Sequence, residues 1–275
     1  MRAATLVLLT LAACSQAPQP QAPPIHPTIV SLNPCSDAVL AEVADPGQVL
    51  ALSHYSSDPS SSSMDLAVAR RFPSVSGSVE EVMALRPDMV ITGTFVPSAT
   101  ADAFERLGLQ LEKVPIATSV ADSKAQVMHI ARLAGHPERG EALIRRIDAA
   151  LAEAAPPRGA KPVSAVVWQS GGIVPGGSTL IADLLQHAGL ASFSAEKGMG
   201  QAEILPLEVM LSDPPSVVLA AGDVPSDADR MLSHPALKAL GNTRHEWFEP
   251  SLLWCGGPTI IRSAARLAEI RRSVS

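Results

Sequence analysis

Ser78-Val79-Glu80-Glu81-Val82-Met83-Ala84-Leu85-Arg86-Pro87-Asp88-Met89-Val90-Ile91-Thr92 holds a helix, its stop and a strand in one run. Ser78 is a preferred N-cap residue, and Glu81 stands three positions on, the spacing of a capping box. Arg86-Pro87 closes the helix, because the residue before a proline is pushed out of the α region. Residues 89–92 are apolar and β-branched, as a buried strand requires. The second half of the chain repeats the pattern: Glu208-Val209-Met210-Leu211-Ser212-Asp213-Pro214-Pro215 again leads into an apolar, β-branched run at 217–220. A helix, stop and strand unit that recurs in both halves predicts two α/β lobes of one construction.

Working outward, residues 28–32 and 48–52 read as strands, separated by a helix that Pro34, Ser36 and Asp37 open and that runs through Ala44. A Ser-rich loop at 56–63 precedes a helix around 65–71. Beyond the opening run, 99–107 is a helix closed by Gly108, and 110–114 a strand. Two long helical segments, 119–134 and 138–154, are broken only at Gly135-His136-Pro137. Pro156-Pro157-Arg158-Gly159 then marks a boundary, and the same alternation restarts. It gives a strand at 163–168, a Gly-rich loop at 171–177, a helix at 178–187, a short helix at 207–211, strands at 217–220 and 246–248, and a last helix at 259–271. Strands alternating with helices predict parallel sheets covered by helices.

The first residues read as an address. Arg2, an apolar run at 3–13 and Cys14 form a segment too short for a bilayer, which needs roughly 20 apolar residues. Leu11-Ala12-Ala13-Cys14 resembles the lipobox of bacterial lipoproteins, in which the cysteine is acylated and becomes the new N-terminus. An ordinary signal peptide cut after an Ala-x-Ala-like site is the alternative, and export follows from both. Residues 1–13 are thus expected to be a lipoprotein-type signal peptide. Residues 14–26, rich in Pro, Gln and Ala, are expected to be a flexible tether with too little apolar surface to fold.

The chain is 47% hydrophobic and 17% charged, with a net charge of −6 and no basic stripe, which argues against a nucleic-acid partner. Enzyme classes find no constellation. The run from Gly171 to Thr179 lacks the P-loop lysine and the dinucleotide glycine spacing, and no G-x-S-x-G elbow is present. His26, His54, His129, His136, His187, His234 and His245 are scattered without metal-ligand spacing, so neither a metal site nor a cofactor is expected.

Taken together, Ser31-Leu32-Asn33-Pro34, Ser53-His54-Tyr55-Ser56, the run from Ser78 to Val90 and the central long helix resemble the periplasmic binding proteins of ABC importers for cobalamin, haem and ferric siderophores. The likeness covers about residues 27–272. It implies an α/β fold of two Rossmann-like lobes, each a parallel sheet covered by helices, joined by a single long and rather rigid helix. On that plan the N-lobe is 27–136, the bridging helix 137–155 and the C-lobe 160–275. It further implies a monomer, not an enzyme, held by lipid at the outer face of the cytoplasmic membrane or free in the periplasm. This monomer would bind a small metal chelate between the lobes and deliver it to an ABC permease and its ATPase. Glu80 and Glu208, by their matching positions, would dock on the permease. An envelope lipoprotein that kept the fold and lost transport is a second alternative.

Ligands of α/β folds sit beyond the carboxyl ends of the strands. That places Asn33, Cys35, His54, Tyr55, Phe95, Gly172, Trp254 and Cys255 as candidate ligand-binding residues, with Tyr55 and Trp254 supplying flat aromatic faces. Ser76-Gly77 stands where haem binders of the resembled family often carry a tyrosine, and the candidate loops contain no arginine of the kind siderophore binders use. Cobalamin or a related corrinoid is therefore the favoured ligand, ahead of haem and ferric siderophores. With Cys14 assigned to lipid, Cys35 and Cys255 fit a disulfide across the cleft, two unrelated thiols, or a pair of soft metal ligands, in that order.

Overall fold

The structure is a computed structural model that describes residues 26–222, 235 and 241–274. The signal peptide, nearly all of the tether and the lipidation of Cys14 lie outside the described residues.

Five strands, β1 (Ile29–Ser31), β2 (Val49–Ser53), β3 (Ser74–Val75), β4 (Met89–Gly93) and β5 (Gln110–Val114), form a parallel sheet in the order β3-β2-β1-β4-β5. Helices α1 (Pro34–Val43), α2 (Leu66–Ala69), α3 (Val79–Leu85) and α4 (Ser98–Arg106) connect them. Two longer helices follow, α5 (Val120–Leu133) and α6 (Pro137–Ala154). The remainder contains β6 (Val163–Gln169), β7 (Ile173–Pro175), α7 (Leu180–His187), β8 (Leu190–Ser192), α8 (Phe193–Glu196), β9 (Ala202–Ile204), α9 (Leu207–Ser212), β10 (Val217–Ala221), β11 (Arg244–Trp247) and α10 (Thr259–Ser273). Four of these strands make a second parallel sheet, β11-β10-β6-β8, as the alternation in the sequence predicts.

The inner strands β2, β4, β6 and β10 read as largely apolar runs because both faces of each sheet are covered, whereas the edge strands β5 and β11 are polar. Successive side chains still alternate. On β4, Met89 and Ile91 enter one core while Val90 enters another, and on β1 Ile29 and Val30 divide the same way. In the second sheet Ala165 and Val167 of β6, with Val217 and Leu219 of β10, join the core that holds Met89 and Ile91. Val166, Trp168 and Val218 face outward into a separate cluster. Each sheet therefore has a private core on one face and a shared core on the other. The shared core is filled by α1, α5, α6, α7 and α10, including Val39, Val127, Leu143, Ile147, Leu184 and Leu267.

The helix α6 packs on α5 and α10 and presents Leu143, Ile147 and Leu151 as its buried stripe. Its approach to α5 is close: a Cβ on Gly140 would lie 2.6 Å from the Cβ of Ala131. The start of α10 also reaches the first lobe, where the Thr259 hydroxyl and the Arg262 guanidinium donate to the Ser63 carbonyl.

The structure departs from the sequence reading in places. The Gly-rich segment at 171–177 is not a free loop, since its centre is β7, paired antiparallel with β9. The expected capping box is reciprocal in one direction only. The Ser78 hydroxyl accepts from the Glu81 N–H at 3.3 Å, but the Glu81 carboxylate takes the backbone and side-chain donors of Ser76. Arg86 closes α3 with φ at 50°, a left-handed conformation that costs a non-glycine residue free energy and that the following proline does not forbid.

Gly140→Ala should destabilise the protein by roughly 1–3 kcal/mol, because the overpacking at Ala131 exceeds the helix-propensity gain of about 1 kcal/mol. The denaturant midpoint measures it, and a variant as stable as the parent would show that α5 and α6 separate freely.

Candidate functional site

The carboxyl ends of β1, β2, β4 and β5 open on one cavity of about 740 Å³, closed on its other side by Trp254 and Gly256. Its floor is set by the chain's first turn. Asn33 accepts the Cys35 N–H at 2.9 Å and caps α1, with Pro34 at the first helical position. The chain leaving β2 tightens at once into a 3-10 turn, His54–Ser57, which Ser53 caps and which sets Tyr55 on the wall. Gly93, Thr94, Phe95 and Pro97 after β4, and Pro115, Ile116 and Ala117 after β5, complete that side.

Three aromatic side chains on the lining keep large exposed faces: Tyr55 is 49% exposed, Phe95 82% and Trp254 55%. The polar lining groups are uncharged, among them Asn33, Ser76, Thr92, Thr100 and Gln126. Among the described residues no lysine, arginine, histidine, aspartate or glutamate lines the cavity.

Cys35, at the start of α1, and Cys255 are joined in a disulfide with Cα atoms 5.0 Å apart across a sequence separation of 220. Cys35 Sγ lies 3.6 Å from the Trp254 carbonyl oxygen, so the bond fixes the backbone that carries the tryptophan. Closing so long a loop removes about 5 kcal/mol of chain entropy from the unfolded state on the loop-entropy account. The Gly257 N–H donates to the Ser123 hydroxyl of α5 at 2.7 Å and holds the same segment from behind.

The sequence candidates divide. Asn33, Cys35, Tyr55, Phe95 and Trp254 line the cavity together. Cys255 is buried directly behind it through the disulfide. His54 is outside the lining, its ring lying 4.0 Å from that of Tyr55, centroid to centroid. Gly172 is elsewhere: it is buried in the second lobe, and its carbonyl accepts the Leu205 N–H, because the segment that follows it is a strand rather than a cleft loop. Glu80 and Glu208 are exposed in the first turns of α3 and α9, each two residues before the buried anchor of its helix, Val82 and Met210.

The sequence did not single out Asp37 as a site residue, although it lies directly beneath the cavity floor. It is fully buried in α1, and its Oδ2 accepts the Ser53 N–H at 3.0 Å and the Ser56 hydroxyl at 2.7 Å. Its other oxygen has no hydrogen-bond partner among the described residues. Burial pushes its pKa up to about 7, only partly offset by the neighbouring Ser31 hydroxyl and by the hydrogen bonds from Ser56 and Ser53. Asp37 therefore pins both sides of the turn that presents Tyr55. Its short polar side chain near a helix start reads in sequence as an ordinary dipole or cap residue.

Residues 29–245 match the family described as periplasmic binding protein. No curated protein sequence matches the chain. Among solved structures, the chain is similar to the periplasmic haem-binding protein RhuT from Roseiflexus sp. RS-1, with 20% identity, a TM-score of 0.71, and 90% of this chain and 97% of that one covered. It is also similar to the periplasmic vitamin B12 binding protein BtuF of Vibrio cholerae, with 13% identity, a TM-score of 0.67 and coverage of 90% and 97%. Helicobacter pylori CeuE with Ni(II) bound follows at 17% identity, a TM-score of 0.67 and coverage of 88% and 82%. At these identities the likeness is one of fold.

The raised Asp37 pKa gives stability a definite sign. Between its unfolded value of 3.8 and about 7 the unfolded chain has released this proton and the folded chain keeps it, so stability falls as pH rises through that window. The loss is of order 4 kcal/mol and complete above pH 7. Asp37→Asn should lack this component, so the difference between the two unfolding free energies measured from pH 4 to 8 should trace it, and parallel curves would refute it.

Proposed function

The chain belongs to the periplasmic binding protein family, and from that premise we propose that it is the solute-binding component of an ABC importer, carrying a corrinoid-type metal chelate in the cavity rimmed by Tyr55, Phe95 and Trp254. Family membership already makes it a solute-binding protein of the periplasm and not an enzyme. The ligand, the permease and its ATPase as partners, the lipid anchor at Cys14, the monomeric state and the lobe boundaries at 27–136, 137–155 and 160–275 belong to the proposal.

The absence of charge from the described lining carries the choice of ligand. Haem brings carboxylates, and anionic siderophores bring more, and a buried carboxylate without a cation loses several kcal/mol of hydration. A corrin ring presents flat apolar area for the aromatic faces and amide groups for Asn33, Gln126 and the threonines, a match of neutral donors with neutral acceptors. Haem is the second reading because Tyr55, the one tyrosine in the chain, stands on the wall where a phenolate could reach a metal. Fold neighbours include both haem-binding and B12-binding proteins.

Titration of the purified protein with cobalamin, cobinamide and haemin, read by tryptophan fluorescence, should give corrinoid binding at least about tenfold tighter than haemin. Trp254→Ala should weaken it by about 1–2 kcal/mol. Tighter haemin binding with an iron absorption band that Tyr55→Phe abolishes would replace the corrinoid by haem.

Exposed carboxylates at equivalent places on the two lobes suit a docking surface, since rim charges fix register and steer encounter. Glu80→Arg and Glu208→Arg should each abolish ligand uptake by cells while leaving the ligand Kd of the isolated protein unchanged. Normal uptake in both single variants would remove the docking role.

A further inference from the structure

Below the first sheet, at the end away from the cavity, the chain brings together three side chains that are distant in sequence. His26 immediately precedes β1, Asp45 follows α1, and His136 stands between α5 and α6. One ligand atom from each lies within 4.8 Å of the other two. His136 is 5% exposed, and its Nε2 points at Asp45 Oδ2 from 3.2 Å, yet among the described residues that buried nitrogen has no hydrogen-bond partner. The rings of His26 and His136 lie 4.3 Å apart, tilted by 58°.

The surroundings hold this arrangement in place. Arg139 donates to Asp45 Oδ1 at 2.6 Å, which leaves Oδ2 turned toward His136. The same arginine donates to the Val43 carbonyl, and the buried Gln48 ties the Asp45 N–H to the Ala134 carbonyl, so three backbone segments are fixed around the carboxylate. Glu138 lies 3.7 Å from the other nitrogen of His136, a short movement away from the outer-carboxylate contact that ligating imidazoles commonly make. Gly135, at φ 83°, leaves the room that the His26 ring occupies, and a Cβ there would strike it.

We propose that His26, Asp45 and His136 bind a divalent transition-metal cation of the zinc class, clasping the entry of the folded body to the start of α6. Two imidazoles and one carboxylate suit such an ion, with water as the fourth ligand. Metal–ligand bonds of about 2.0–2.1 Å require ligand atoms roughly 3.3 Å apart. Asp45 and His136 are already at 3.2 Å, so closing the site is a matter of moving the His26 ring, which sits at the start of the described chain beside a glycine. This site is independent of the cavity and of any cargo carried there.

Isothermal titration of the metal-stripped protein with Zn²⁺ should show one equivalent bound, and Co²⁺ should give the visible absorption of a low-coordinate complex. His26→Ala, a change at the edge of the body, should keep the circular dichroism of the parent and weaken Zn²⁺ binding at least tenfold, and Asp45→Asn should do the same. Gly135→Ala should also weaken binding by displacing the His26 ring. No Zn²⁺ binding by the parent protein overturns the proposal, and so does binding that survives His26→Ala unchanged.

Discussion

The shared core between the two sheets is the constraint on which the remaining structure depends. Each sheet sends alternate residues of its strands into the same layer of helices, so neither lobe owns the face it turns toward the other. At the tightest crossing of that layer Gly140 meets Ala131, and the absence of one Cβ lets α6 sit against α5 closely enough for Leu143 and Ile147 to reach the core. Interiors are packed as densely as organic crystals, so such a layer has few intermediate arrangements. The geometry of the cavity, made from strand ends on one side and the Trp254 segment on the other, is inherited from that packing.

At the cavity itself two different devices hold two aromatic faces. Tyr55 rides on a turn tied to a buried carboxylic acid, and Trp254 on a segment tied by a disulfide and by Ser123. A carboxyl kept in an apolar place is costly when ionised, so the Tyr55 support depends on pH, whereas a disulfide is indifferent to it. The uncharged lining follows the same economy, because charged side chains on that wall would have to be desolvated whenever ligand excluded water.

The sequence made most of the lobe construction legible because periodicity, caps and proline stops act locally. Ser78 caps the helix that its position predicts, and Asn33 and Ser119 cap theirs in the same way. The short strands escaped, and for a physical reason: β3 has two residues and β7, β8 and β9 three each, too few for any period to show. Their pairing is decided by tertiary partners. Gly172 reads as a cleft residue for the same reason, since a glycine run before a helix looks the same whether it cradles a ligand or leads into a strand. Asp37 and the meeting of His26, Asp45 and His136 depend on burial and long-range juxtaposition, which a residue's neighbours in sequence do not encode.

The Cys35–Cys255 bond, joining residues 220 apart, also makes most of the folded body a covalent ring. In a ring a single backbone cut does not make two molecules. A protease acting anywhere between these cysteines leaves both pieces attached to each other, and the severed strands stay at the effective concentration of one chain, free to close around the same core. A cut before Cys35 or after Cys255 falls outside the ring and does make two molecules, held together after cleavage only by packing.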